Sequence, residues 1–441
     1  MQAESSFNEL AAAIDQALAP GERHATSYAA EDTDFIRLNR GKVRQPGHVA
    51  QRFIEIRLIH GMRHASRAMS LSGDLATDVQ DVQAAVAALR SVLPDLTDDP
   101  HLLLPSTVDS TRTSRGGPLP QSAAMVQTIL DAANGHDLVG LLAAGPVYRG
   151  FANSDGQRNW HEVTTFNLQW SLYYRADKAV KAAYSGLLWD DAELRTRMAT
   201  AAGQLGVIAT PPKSLPPGKY RTYLAPEALQ EVAQLLSFGG FSARALETQQ
   251  SALAKMRTGA ALDAHVHVSE DIATGVAPAF QADGFTRPPD VALINGGALV
   301  GALVSPRTAR EFTLTANGAN VWEAPEALAM RGGTLASTEA LSALDTGLAV
   351  GNLWYLNYSD RPACRMTGMT RFATFWVEKG KIVAPIDVLR FDDTLYRMFG
   401  DNLEALTAER ELLLESNTYG SRTLTSFTLP GALLSELNFT L

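Results

Sequence analysis

The 441-residue chain is poor in cysteine, since Cys364 is its only one. A single cysteine excludes an internal disulfide and any metal site built from cysteines alone. No apolar run is long enough to span a bilayer. The amino end also lacks the basic-then-apolar order of a signal peptide. We therefore expect a cytoplasmic protein without a membrane segment.

Clustered positive charge is also lacking. The formal net charge is -9, and lysines and arginines form no tract. A nucleic-acid surface needs clustered cations to neutralise phosphates, so we expect no nucleic-acid partner. The remaining composition, 46% hydrophobic and 19% charged, is typical of globular proteins. The length is sufficient for two domains with substantial cores.

Hydrophobic periodicity predicts an α+β fold of two domains. Residues 1–209 combine helical stripes with alternating patterns typical of antiparallel strands, which indicates a mixed N-terminal domain. The proline-rich residues 210–218 are interpreted as a stiff linker. Residues 219–441 are predicted to form a mainly antiparallel β domain with a few helices. One of these helices is predicted at Pro226–Phe238, with proline in its first turn.

The stretch Thr346–Val388 has the most distinctive composition. It begins with the apolar and aromatic run 347–358, which predicts a buried strand. It ends with the pattern of a hairpin over residues 372–386. The intervening segment, Ser359–Arg371, holds three arginines and the cysteine, and we predict a basic, flexible loop. Such a loop between rigid strands is typical of a mobile binding segment.

This predicted loop contains the candidate binding residues, three arginines and one threonine: Arg361, Arg365, Arg371 and Thr367. Guanidinium groups pair well with carboxylates, so the arginines could bind a peptide carboxylate or acidic groups of a partner. In the alternative, carboxylates of the same domain, such as Asp360 and Asp387, order the loop and no ligand is involved. The sequence leaves both readings open.

A second candidate site is the run that begins with Asp263, His265 and His267. On a strand, residues two apart point to the same side, so these three side chains would converge. Two imidazoles and a carboxylate can hold a metal ion. The alternative is the solvent face of an edge strand, because alternating polar and valine positions are typical of half-buried strands.

Other reactive groups form weaker patterns. His60 and His64 have the spacing of a helical zinc pair but lack the accompanying glutamate. His161 precedes Glu162 in a predicted strand. Cys364 could act as a nucleophile only with a lowered thiol pKa, which neighbouring arginines would favour, but no histidine is close in sequence. We therefore predict no catalytic residue among these groups.

Several segments resemble motifs of the TldD/PmbA family, and they occur in the order Tyr148–Gly156, Leu293–Leu299, Gly351–Trp354, Arg365–Arg371 and Thr374–Pro385. The last segment is similar to the hairpin that closes the C-terminal domain of that family, with Ala373 in place of its first glycine. The resemblance covers most of the chain. It implies a relation to a family of metallopeptidases, which has also been associated with DNA gyrase. The charge of this chain gives that association no support.

The resemblance also implies which residues are missing. Catalytic, TldD-type members carry HExxxH on a helix and a cysteine near the C-terminus. Here Gln230 and Leu235 stand at the two histidine positions, and Tyr419 stands at the cysteine position. No histidine lies between His161 and His265. The chain therefore resembles the non-catalytic TldE (PmbA) side of the family, with no catalytic residue, metal ligand or cofactor of its own.

These observations lead to three functional hypotheses. In the first, the chain pairs with a zinc-bearing TldD-like subunit, and the heterodimer cleaves peptides or unfolded segments. In the second, it is a self-contained hydrolase with a metal at Asp263, His265 and His267. In the third, it is a homodimeric peptide-binding or scaffold protein.

Overall fold

The computed structural model describes residues 2–440 and contains two β-sheets with helices packed against them. The first sheet is formed by β1 (Glu22–Asn39), β2 (Lys42–His60), β3 (Arg63–Ser70), β4 (Arg112–Arg115), β5 (Asp137–Asn153), β6 (Arg158–Arg175) and β7 (Lys178–Gly186). The first six strands of the second sheet are β8 (Gly218–Leu224), β9 (Val268–Asp271), β10 (Asp290–Asn295), β11 (Ala298–Leu299), β12 (Ala327–Met330) and β13 (Gly347–Val350). The other seven are β14 (Leu353–Asp360), β15 (Arg365–Thr370), β16 (Thr374–Glu378), β17 (Lys381–Pro385), β18 (Arg390–Thr394), β19 (Leu403–Leu414) and β20 (Ser426–Phe439).

The α-helices are α1 (Gln2–Ala17), α2 (Leu75–Val92), α3 (Ser122–Ala132), α4 (Asp191–Ile208), α5 (Pro226–Ser237), α6 (Ala243–Glu247), α7 (Pro306–Phe312) and α8 (Ala340–Leu344). Short 3₁₀ turns lie at Leu93–Asp95, Ala254–Thr258 and Ser337–Glu339, and a π-helical turn lies at Arg397–Asp401. The predicted α+β class is confirmed. None of the helices in the described part of the chain is both long and apolar enough to cross a membrane.

The first sheet is antiparallel except for one short strand, and its order is β3-β2-β1-β5-β6. The edge of β6 that faces away from β5 has two partners. The strand β4 pairs in parallel with the N-terminal half of β6, and β7 pairs antiparallel with its C-terminal half. The apolar stripe of α1, including Leu10 and Ile14, packs with α2 on the inner face of β2. The helices α3 and α4 cover β5, β6 and β7 around Phe166 and Trp170. The burial of apolar side chains therefore holds helices and sheet together.

The second sheet is mixed and is organised around β20. This strand pairs with β8, β18 and β19 in the antiparallel sense and with β12 in the parallel sense. Its side chains Leu429, Leu434, Leu437 and Phe439 are almost fully buried. The helix α5 packs against the same strand and against β14. The helix and the strands beside it therefore share one hydrophobic core.

The two sheets use separate parts of the sequence, one ending at Gly186 and the other beginning at Gly218. The proline-rich segment between them is bonded to the second sheet, because the Lys213 amide donates to the Pro385 carbonyl at 2.8 Å. Phe375 of β16 packs in the cluster formed by α3, α4 and the first sheet. The division into domains at residues 210–218 remains a prediction.

The structure corrects the prediction for the centre of the Thr346–Val388 stretch. Residues 359–371 are not a flexible loop, because β15 occupies Arg365–Thr370 and pairs with both β14 and β18. The predicted buried strand 347–358 is also wrong as a single element. It breaks into the buried β13 and the more exposed β14, where Trp354 and Tyr355 face solvent. The predicted β16–β17 hairpin is confirmed.

Candidate functional site

The helix α5 has the position that the family resemblance assigns to zinc ligands. It begins with Pro226 in its first turn, and its inner face is buried against the second sheet. Gln230 and Leu235 are half-buried, and neither an amide nor an aliphatic side chain matches the donors that zinc uses in proteins. Within residues 2–440 no three His, Cys, Asp or Glu side chains come together in a way that could hold a metal ion. The residues present therefore do not fit a zinc site.

The helix α5 carries two carboxylates, Glu227 and Glu231, and others lie close to it. Burial, and then the nearby Glu411 carboxylate, raise the pKa of Glu227 to about 7. Arg197 of α4 binds Glu411 at 3.0 Å and Glu193 at 2.6 Å. Burial also raises the pKa of Glu231. The face of α5 toward the first sheet is thus a partly buried acidic surface.

The metal site considered as an alternative at Asp263, His265 and His267 is not assembled. These residues lie in a turn, and the strand begins only at Val268. The turn forms because the Asp263 carboxylate accepts the His265 amide at 2.8 Å. The His265 ring bonds to Asp263 at 2.7 Å, whereas the His267 ring bonds to Asn295 at 2.7 Å. The two imidazoles therefore have separate partners, and the predicted strand face was wrong.

His161 and His64 have structural partners. The His161 ring is buried between Thr113, at 2.7 Å, and the Val276 carbonyl, at 3.0 Å. Burial lowers the pKa of His161 to about 4, so it is neutral at physiological pH. His64 binds Asp99 at 3.1 Å beyond the β2–β3 turn. These contacts tie neighbouring segments together.

Three of the four predicted binding residues hold the β14–β15 hairpin in place. Arg361 donates to the Phe238 carbonyl at 2.6 Å, at the C-terminal end of α5. Arg365 forms an ion pair with Asp392 of β18. Thr367 donates to the Phe391 carbonyl at 2.9 Å and accepts from Arg390 at 2.9 Å. Asp392 therefore pairs with Arg365, and Asp360, one of the two carboxylates expected to order this segment, accepts the Ala363 amide at 3.1 Å. The other, Asp387, accepts the Ser214 hydroxyl instead.

Arg371 has a different environment. Its guanidinium carbon lies 4.2 Å from the centre of the Trp354 ring and 5.0 Å from that of Phe372. It forms no ion pair with any residue of the described range 2–440. Stacking on an indole leaves the edge of a guanidinium available for hydrogen bonds. Arg371 can therefore bind a carboxylate or a peptide carbonyl.

Trp354 and Arg371 line a cavity of about 290 Å³ between the two sheets. The second sheet contributes Met369, Phe372, Pro385 and Val388, and the first part of the chain contributes Asp177, Lys178, Ala179 and Ile208. Trp354 is 45% exposed and its neighbour Tyr355 is 77% exposed. A partly apolar wall with an arginine that has no ion pair is suited to an extended peptide, whose carbonyls need donors and whose side chains need apolar surface.

Cys364 is fully buried in the hairpin turn. Burial raises the pKa of its thiol to about 12, against the opposing charge of Arg361. We expect iodoacetamide at pH 8 to leave it unmodified in the native protein, because only about 10⁻⁴ of the thiol is ionised there. Intact-mass spectrometry checks this, with the protein in urea as the reactive control. Rapid modification of the folded protein would contradict the buried position.

No sequence pattern indicated a pair of arginines, one half-buried and one buried, where the first sheet faces loops of the second part of the chain. Arg149 and Arg422 meet there, although 273 residues separate them. Neither belongs to a motif that indicates binding. Only the three-dimensional contact between β5 and the segment before β20 brings them together.

The full-length fold is similar to that of three solved structures. A proposed modulator of DNA gyrase from Bacteroides thetaiotaomicron has 15% sequence identity and a TM-score of 0.75, with 100% of both chains covered. TldE from Thermococcus kodakarensis has 13% identity and a TM-score of 0.76, and a proposed modulator of a DNA gyrase from Thermotoga maritima has 13% identity and a TM-score of 0.74. Both similarities cover 99% of this chain and 100% of the other. At these identities the similarity shows the fold alone.

Two sequence comparisons complete this picture. The chain matches none of the curated proteins with which it was compared. Residues 217–441, about half of the chain, match the family model of the PmbA/TldA metallopeptidase C-terminal domain. The chain therefore belongs to the PmbA/TldD family of metallopeptidases.

Proposed function

We propose that this chain is a TldE-like, non-catalytic subunit of a cytoplasmic zinc metallopeptidase that acts on peptides or unfolded segments. A TldD-like partner supplies the zinc and the catalytic groups. The observation that carries the proposal is the side-chain set of α5, where Gln230 and Leu235 occupy the positions of the family's histidines. Membership of the family and the TldE-like fold support it.

The β14–β15 hairpin is the proposed substrate contact. In this proposal Arg371 and Trp354 meet the peptide in the cavity between the sheets. Arg361, Arg365 and Thr367 act indirectly, because their bonds to α5 and β18 fix the hairpin that carries Trp354. The exposed aromatic rings also offer apolar surface to a partner subunit.

Reconstitution tests the proposal. The purified chain alone should not cleave casein, and its zinc content should be negligible. Mixing it with a TldD-like chain from the same organism should produce a stable complex that cleaves casein, because a protein-bound zinc ion generates the attacking hydroxide at neutral pH. Cleavage by the chain alone that chelators abolish, or a stable homodimer that ignores every TldD-like chain, would contradict it.

A variant of the hairpin tests the proposed substrate contact in that complex. We expect Trp354→Ala to raise KM for a short peptide about fivefold with little change in kcat, since a cation–π contact contributes roughly 1 kcal/mol and helps to position Arg371. Trp322→Ala is the matched control, because Trp322 is an exposed tryptophan, 80% accessible, in the loop before β12. An equal rise of KM in both variants, or an unchanged KM in Trp354→Ala, would refute the contact between Trp354 and the peptide.

A further inference from the structure

A second cavity, of about 410 Å³, lies where β1 and β5 of the first sheet face three loops of the second part of the chain. It is separate from the Trp354–Arg371 cavity and shares no lining residue with it. Three arginines and one glutamate are the charged residues of its wall: Arg149, Arg287, Arg422 and Glu326. The wall therefore carries an excess of positive charge.

Two of these arginines have no carboxylate partner. Arg149 donates to the Tyr148 carbonyl at 2.8 Å and to the Arg422 carbonyl at 3.3 Å. The Arg422 guanidinium donates to the Gly145 carbonyl at 3.0 Å and to the Thr165 carbonyl at 3.2 Å. Burial lowers the pKa of both, that of Arg422 to about 10. Two desolvated cations whose hydrogen bonds all go to neutral acceptors favour the arrival of an anion.

The carboxylates nearest to these arginines have other partners. Glu31 accepts the Thr33 hydroxyl at 3.0 Å and faces the Arg422 backbone amide at 3.4 Å. Glu326 is bound by Arg287 at 2.6 Å and by Asn320 at 2.8 Å. Neither carboxylate forms an ion pair with Arg149 or Arg422. Glu31 and Glu326 thus act on these two guanidinium groups only through space, and no carboxylate of the described chain is bonded to either.

Two further donors in this wall lack an acceptor. Gln281 is 5% exposed, and its side-chain nitrogen has no hydrogen-bond partner. The Nε atom of Arg287 is also buried and unpartnered. A buried donor without an acceptor costs about 1–3 kcal/mol, so native proteins rarely keep one without a reason. A bound acceptor would satisfy these groups.

We propose that this cavity binds the carboxylate of an organic acid or of a peptide C-terminus, with Arg149, Arg422 and Gln281 as the donors. Tyr28, Pro278, Phe280 and Leu424 form the apolar part of the wall and accommodate the hydrocarbon portion of the ligand. That wall favours a carboxylic acid over inorganic phosphate, which has no apolar part to bury. The proposal does not depend on a TldD-like partner.

Isothermal titration calorimetry on the full chain tests this site with four probes. N-acetyl-Ala-Leu with a free C-terminus should bind at least tenfold more tightly than its C-terminal amide and than inorganic phosphate. The amide lacks the negative charge, and phosphate lacks an apolar group. The fourth probe, 4-methylpentanoate, separates the two sources. If 4-methylpentanoate binds as tightly as N-acetyl-Ala-Leu, the ligand is a free organic acid. If it binds at least tenfold more weakly, the ligand is a peptide C-terminus. Failure of both acids to bind at about 10 mM would overturn the proposal.

Variants separate binding from a structural role. Arg149→Gln should weaken binding of N-acetyl-Ala-Leu at least tenfold, while the melting temperature of the ligand-free protein stays the same or rises, because an unpaired buried charge is removed. Gln281→Glu should have the same effects, since it places a carboxylate beside the arginines. Arg195→Gln, at an exposed position of α4, is the matched control and should bind as the wild type does. Unchanged affinity in Arg149→Gln and Gln281→Glu would overturn the site.

Discussion

The variant Arg287→Met is expected to lower the free energy of unfolding by about 3 kcal/mol. The Arg287 side chain is 6% exposed and binds Glu326, 27% exposed, at 2.6 Å. Burial opposes ionisation of Glu326, yet Arg287 holds its pKa below the ordinary value. Without the arginine, a desolvated carboxylate keeps only its bond from Asn320. An uncompensated buried charge is among the costliest single changes in a protein.

Urea unfolding followed by circular dichroism measures this loss. The double variant Arg287→Met/Glu326→Gln should recover most of the stability, because the remaining side chains are neutral. Arg307→Met is the control, since Arg307 is 53% exposed in its ion pair with Asp99 and should lose less than about 1 kcal/mol. If the single and double variants are equally unstable, the cost comes from lost packing and not from the charge of Glu326.

The variant Glu227→Gln should be more stable than the wild type at pH 8, by about 3 kcal/mol, and equally stable near pH 4. Burial and Glu411 raise the pKa of Glu227 from 4.5 to about 7 in the folded chain. The folded state therefore binds a proton more tightly than the unfolded state does. The stability from this proton is complete below about pH 4.5 and is lost as the pH rises through about 7. Glutamine carries no charge, so the variant does not show this loss.

The measurement is the difference in unfolding free energy between variant and wild type at pH 4, 6 and 8. The difference should grow with pH over the window set by the two pKa values of Glu227. Glu9→Gln on α1, an exposed position, is the control and should follow the wild type throughout. A difference that does not vary with pH would show that Glu227 is not protonated in the folded state at pH 6.

Local patterns predicted the elements whose stabilising contacts are close in sequence. The proline in the first turn and the apolar stripe predicted α5 with the correct first residue and with an end one residue too late. Turn residues located the β16–β17 hairpin. In both cases a few neighbouring residues determine the backbone conformation, so the sequence contains the information directly.

The failures occurred where a distant partner decides the structure. Residues Arg365–Thr370 contain glycine and an arginine, which suggested a loop, but pairing with β18 about 25 residues later makes them a strand. At Asp263 the side chain caps a turn, and the local bond outweighs the strand pattern that follows. The site formed by Arg149 and Arg422 depends entirely on a long-range contact. No periodicity records such a contact, so sequence reasoning could not find it.

The central position of β20 has a consequence for the order of folding during synthesis. All seven strands of the first sheet have left the ribosome long before β20 is translated, so that sheet can form early. The strands β8, β12, β18 and β19 must wait for one of their partners, because each pairs with β20, although β8, β12 and β18 also pair with β13, β9 and β15, which are translated before β20. During this interval their apolar side chains and unpaired edges are exposed to aggregation and to chaperones. The nascent chain is therefore most vulnerable just before β20 emerges.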